Sequence, residues 1–167
     1  MIFQDIIMAL IVESGAGLGD AESYVSVAEH QAYCNARGLG YGSEAEIEQQ
    51  ARRAADYIGQ VYRLRFKGCR TTTVQALDWP RAAVEYGQDE IPVELKRAQS
   101  ELMLRAAAAD LAPDVERLQK RVRVEGAVEV EYEPGAPAMT RFRAVDNLLA
   151  PLLLTASGSD SVRLVRL

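Results

Sequence analysis

Apolar and polar positions in this chain run mostly at helical spacing, and serines mark where the helices begin. Ser26-Val27-Ala28-Glu29 and Ser43-Glu44-Ala45-Glu46 each set a serine three residues before a glutamate, the reciprocal capping arrangement of a helix N-terminus. The first predicts a helix to Arg37, closed by Gly38 in the left-handed conformation, with Val25, Ala28, Ala32 and Ala36 on one face beside Tyr33. The second predicts a helix over about 44–63, where Ile47, Ala51, Ala54, Ala55, Ile58 and Tyr62 share a stripe. Its alanines let another helix approach closely. A third helix opens at Ile91-Pro92, because proline at a first helical position gives up no hydrogen bond. It is expected to run to about Ala112, with Leu95, Ala98, Leu102, Ala106 and Ala109 inward, Arg97, Glu101 and Arg105 along the edge, and Pro113 as the stop. A short apolar helix, about Arg143 to Leu154, carries Val145, Leu148, Leu149 and Leu152 on one side and is kinked or ended by Pro151.

Between Leu118 and Glu133 the period changes to two, which predicts a β-hairpin. A three-residue loop over 125–127 sets Val124 on Val128 and Val122 on Val130, and also Arg123 on Glu129 and Arg121 on Glu131. One face is then valine and the other charged. A lone hairpin is barely stable in water, so this one must lie on helices or on another subunit. The expected fold is mainly α: a small bundle of about four helices with one β-hairpin and extended arms. Residues 1–22 form the N-terminal arm, 23–154 the helical domain and 155–167 the C-terminal arm. The last of these begins with the linker Ser157-Gly158-Ser159-Asp160. Trp79 is the only tryptophan, and Pro80 pushes it into an extended conformation, which makes it the expected structural anchor of the core.

At 167 residues the chain fits one domain and can bury roughly 70% of its unfolded surface without a metal or disulfide. Cys34 and Cys69 stand apart, and His30 is the sole histidine, so no Cys/His ligand set can be assembled and no metal or cofactor is expected. No apolar run approaches the roughly 20 residues of a membrane span, so no membrane partner is expected. The glycine run Gly15 to Gly19 lacks a surrounding βαβ unit and reads as a loop rather than a nucleotide cradle. With no Ser-His-Asp, Cys-His or P-loop pattern, the chain is not expected to be an enzyme.

A net charge of −5 argues against coating a nucleic acid by bulk electrostatics but leaves room for a local basic patch. One stretch offers it, since no acid occurs between Asp56 and Asp78. There Tyr62, Arg63, Arg65, Phe66, Lys67 and Arg70 interleave cations with rings, a pattern that can hold phosphates and stack bases. The same residues also suit a solvated helix end, where cations favour the carbonyl dipole, or a subunit contact.

Several separated blocks resemble one family in order and spacing. They are Met8 to Glu13, Gly17 to Ser26, Arg65-Phe66-Lys67-Gly68, Gln75 to Arg81, Ile91-Pro92 and Leu149 to Leu153. The family is the head–tail connector, or adaptor and head-completion, proteins of tailed bacteriophages, in a branch also labelled DnaT-like single-stranded-DNA-binding proteins. The resemblance implies a structural protein of the virion neck, assembled in the host cytoplasm as a ring of twelve copies between portal and tail or stopper protein, with DNA passing through. It makes Arg81, Arg121, Arg123, Glu129, Glu131, Arg163 and Arg166 the candidate interface residues, and leaves residues 1–7 as extra, either a misassigned start or an added arm, expected to be disordered or peripheral. The alternative is a DnaT-like single-stranded-DNA-binding module that uses the stretch 62–70.

Overall fold

The structure, a computed structural model, describes residues 9–113 and 142–154. In chain order these form α1 (Val27–Asn35), α2 (Glu44–Tyr62), a 3-10 turn (Arg63–Arg65), β1 (Cys69–Arg70), β2 (Arg81–Ala82), α3 (Val93–Ala106), α4 (Arg143–Leu149) and a second 3-10 turn (Ala150–Leu152). The fold is mainly helical, with a two-stranded antiparallel pair, as the sequence pattern implies. The pair itself is not the expected one: β1 and β2 join with Cys69 opposite Ala82 and Arg70 opposite Arg81. The hairpin predicted over 118–133, with Arg121, Arg123, Glu129 and Glu131, lies outside the described residues. So do residues 1–7 and the arm 155–167, with Arg163 and Arg166.

α2 packs chiefly on α3, and α3 on α4. Both predicted serine caps form, with Ser26 and Glu29 bonding reciprocally, and likewise Ser43 and Glu46. The α2 stripe is buried as expected, from Ile47 through Ala51, Ala54, Ala55 and Ile58 to Tyr62. Helix α3 stops at Ala106, earlier than expected. The Arg53 guanidinium, reaching across from α2, donates to the carbonyls of Ala106 (2.8 Å) and Ala109 (3.3 Å). It thereby satisfies acceptors that a helix end leaves open, and the exposed alanines beyond have nothing to pack against.

The inward face of α1 differs from the alanine face predicted. Ala28, Ala32 and Ala36 are exposed, while His30 and Cys34 are buried. The helix is oriented by polar contacts to α3 rather than by an apolar stripe. Lys96 Nζ donates to Glu29 Oε1 (2.7 Å) and the Tyr33 hydroxyl donates to Glu101 Oε1 (2.7 Å). Two residues along a helix is about 200° of rotation, so these contacts turn positions 30 and 34 inward in place of 28 and 32.

His30 lies 3.5 Å from Cys34 Sγ through Nε2, and its Nδ1 is buried with no partner among the described residues. Burial lowers its pKa from the usual 6.5. The neutral ring is therefore the form that folds, and the unfolded chain binds the proton more readily. Stability contributed by neutral His30 is fully present above pH 6.5 and is lost as pH falls from there through the folded pKa. We expect the melting temperature to drop across that window, and His30→Gln to flatten the drop. The caps at Glu29 and Glu46 and the Glu101 pair, whose carboxyls sit below their usual 4.5, are lost only at lower pH.

Residues 9–22, the inner part of the expected N-terminal arm, pack on the body. Val12 bridges Ser23 in parallel, and Leu18 accepts from the Ala76 N–H (2.8 Å). Glu13 is buried and accepts from the N–H groups of Gly15 and Gly17 (each 2.9 Å) and of Leu18 (2.8 Å). The glycine loop's cradle is thus filled by the chain's own carboxylate, which leaves no seat for a phosphate. Gly15 sits at φ +103°, and a Cβ there would lie 1.8 Å from the Asp89 carbonyl oxygen, so this loop has to be glycine. Gln99, wholly buried on α3, ties three segments together. It accepts from the Tyr24 N–H (2.9 Å) and donates to Ser23 Oγ (2.8 Å) and to the Ala51 carbonyl (3.0 Å).

Candidate nucleic-acid interface

The chain leaves α2 at Tyr62, tightens into the 3-10 turn Arg63-Leu64-Arg65 and then runs extended into β1. Two backbone bonds pin this passage to the end of the α4 segment: Lys67 N–H to the Leu152 carbonyl (2.9 Å) and Leu154 N–H to the Arg65 carbonyl (2.7 Å). Phe66, between them, bridges Leu153. Fixing Tyr62 and Phe66 inward leaves the residues between them facing out. Arg63, Leu64 and Arg65 are exposed, Leu64 at 91%, while Lys67 and Arg70, next along the chain, are half-buried. The result is an exposed basic turn with one bare leucine, continued along the chain by two further cations.

The sequence pattern puts Tyr62 and Phe66 among the DNA-contacting residues; the structure removes them. Both are buried, and the Tyr62 hydroxyl donates to Asp146 Oδ1 (2.7 Å). Burial, reinforced by that bond, raises the Tyr62 pKa. The two rings belong to a row, in the order Phe142, Tyr57, Tyr62, Phe66, Trp79 and Tyr86, with neighbouring centroids 5.5 to 6.5 Å apart. This row is the spine of the core, so base stacking on Tyr62 or Phe66 is closed off. Trp79 is wholly buried, as expected of an anchor, and the Trp79–Pro80 peptide is cis.

Not all the ridge cations are equally free. Arg63 Nε bonds Asp78 Oδ1 at 2.9 Å, with the Asp78 side chain 1% exposed and that of Arg63 53% exposed. Arg65 holds its guanidinium 5.3 Å over the Tyr62 ring, which orients it while its charge faces water. Arg70 pairs with Arg81 only through the backbone, and its Nε is buried with no partner among the described residues.

Arg81, expected at an interface, turns inward instead. Its Nε donates to the Lys67 carbonyl (2.7 Å), its Nη2 to that of Gly68 (2.8 Å) and its Nη1 to that of Asp78 (3.2 Å). Burial lowers its pKa, and Asp78 works in the opposite sense. The fork of the guanidinium ties β2 to the residues just before β1 and sets the path of the ridge. Gly68 makes the turn into β1 at φ +68°, where a Cβ would meet the Ala82 carbonyl oxygen at 2.2 Å. Among the described residues no group of three or more His, Cys, Asp or Glu side chains is placed to hold a metal.

The exposed Leu64 is not foreseen from the sequence, where the rings draw attention as the contact surface. A signal is nonetheless present, since Ile58, Tyr62 and Phe66 continue the inward stripe of α2 in steps of four.

A family model described as "Putative DnaT-like ssDNA binding protein" matches residues 8–167. No curated protein and no solved structure matches the chain. The family match overturns the head–tail connector assignment, and the ring, portal and tail partners that rested on it fall with it. The physical reason lies in the blocks that carry the resemblance. Gln75, Asp78, Trp79, Pro80 and Arg81 are all buried, so that motif reports a shared core and carries no information about assembly. Matched over all but its first seven residues, the chain belongs to the family of DnaT-like ssDNA-binding proteins.

Proposed function

We propose that the protein binds single-stranded DNA without catalysis, holding the phosphate backbone along the ridge formed by Arg63, Arg65, Lys67 and Arg70. The observation that carries this is the exposed turn Arg63-Leu64-Arg65, set in a stretch with no acid between Asp56 and Asp78. On a chain of net charge −5, such a ridge localises attraction for a polyanion to one face. Leu64 supplies an apolar surface against which an unstacked base can lie, in place of the buried rings. Family membership supports the same ligand.

The test is a titration with labelled single-stranded DNA over a range of salt. Three to four phosphate contacts give a log–log slope of about −2 to −3. Replacing Arg65 and Lys67 together by glutamine is expected to weaken binding about tenfold and to flatten the slope by about 1.4, at roughly 0.7 for each phosphate no longer neutralised. The melting temperature should not change, because among the described residues neither side chain holds another element of the fold by a hydrogen bond. Salt-independent binding, or a double variant that binds as the wild type does, rejects the ridge. Oligonucleotides recovered shortened after incubation with magnesium reject the non-catalytic part.

A further inference from the structure

Beside the ridge, on the far side of Arg63, a groove of about 250 Å³ opens between α2 and the segment Ala76 to Asp78. We infer that this groove is a base-recognition pocket that receives one amino-bearing nucleobase, guanine above all, from a strand lying on the ridge. The inference rests on the single-strand-binding reading and adds base selectivity to it.

Size comes first. Pockets for drug-sized ligands run from about 300 to 1,000 Å³, and a groove below that range has room for one flat ring system and little else. Its apolar walls, Ala55, Ala76 and Leu77, suit the faces of such a ring. Gly59 keeps it open, because a side chain there would project toward Asp78, whose Oδ2 lies 3.4 Å from the Cβ position.

The polar inventory then selects the ligand. Asp78 is buried, with Oδ1 taken by Arg63 and Oδ2 turned to the Gly59 wall. Asp56 adds a second carboxylate at the rim, and Gln60 an amide. Ionised carboxylates only accept hydrogen bonds, so the Asp56 rim, across the groove from the cationic Arg63 wall, calls for a ligand edge rich in donors. Guanine offers two adjacent donors, its ring N–H and its amino group, to the exposed Asp56 carboxylate, since Asp78 is buried and already holds Arg63. Adenine and cytosine offer an amino group beside an acceptor. Thymine has a single N–H between two carbonyl oxygens that would face the carboxylates. Single-stranded bases are read on this edge once they are unstacked. Arg63 links the two sites, since it lines the groove and also begins the ridge, so a phosphate on the ridge positions its base at the groove mouth.

The experiment measures binding of an all-thymine strand and of the same strand with one central guanine, adenine or cytosine. The wild type should bind the guanine strand roughly tenfold tighter than the all-thymine strand, with adenine and cytosine between. Gly59→Leu, which fills the groove, and Asp56→Asn, which converts a rim acceptor into a partial donor, should each erase most of that preference. Both should leave all-thymine binding and its salt slope intact. Equal affinity for all four strands, or a guanine preference that survives in both variants, overturns the pocket while leaving the ridge standing. Failure of every strand to bind overturns both.

Discussion

The Trp79→Ala protein is expected to be about 3–5 kcal/mol less stable than the wild type, the range for truncating a large aromatic in a packed core. For a chain of this size the melting temperature then falls by on the order of 10 °C. The size of the effect follows from where the ring sits. Trp79 is fully buried and meets Phe66 edge to face at 6.1 Å and Tyr86 at 5.9 Å, so its removal breaks the row of rings between α2 and the segment before α3. Its backbone N–H and that of Asp78 both donate to the Tyr24 hydroxyl, which ties the same point to the segment before α1. Trp79→Phe should recover more than half of the loss. The indole N–H has no partner among the described residues, so phenylalanine gives up volume without abandoning a hydrogen bond. Urea denaturation followed by circular dichroism measures both variants. An alanine variant within about 1 kcal/mol of the wild type would mean that the ring row does not hold the core together.

That core is legible in the sequence where its causes are local. The capping pairs at Ser26 and Ser43 need only four residues each to specify a helix start, and both form. The α2 stripe is one long periodic signal, and every residue predicted on it is buried. What the sequence does not supply is the outcome of competition between distant groups. α1 has no strong apolar face, so contacts from Lys96 and Glu101 on α3 decide which side is buried. β1 and β2 have two residues each, too few for any alternation to show, and the Arg81 fork joins them across the chain. The basic stretch stands out by its lack of acids, and in the structure Arg63 and Arg65 are exposed while Lys67 and Arg70 are half-buried. Its orientation is harder to read, because cations interleaved with rings describe a binding strip and a helix end equally well. Only the stripe Ile58, Tyr62, Phe66 separates the two. The connector resemblance fails for a related reason, since blocks such as Gln75 to Arg81 report what fills the core and not what the surface meets.

Arg81 decides between those two kinds of role, and its substitution is the second large effect expected. Arg81→Met should cost about 3 kcal/mol, because the carbonyls of Lys67, Gly68 and Asp78 lose their donors together under a side chain that is itself buried. Arg81→Lys should recover little of this, since a single ammonium cannot present the planar fork that reaches three acceptors at once. A second consequence separates this residue from the ridge cations. The carbonyls of Lys67 and Gly68 shape the backbone that displays Lys67 and Arg70, so loss of the fork should weaken single-stranded-DNA binding as well as the fold. The Arg65 and Lys67 glutamine pair should weaken binding alone. A surface arginine reserved for a partner would give the reverse of the Arg81 result, with an unchanged melting temperature. That outcome would return Arg81 to the surface and leave the path of the ridge without its support.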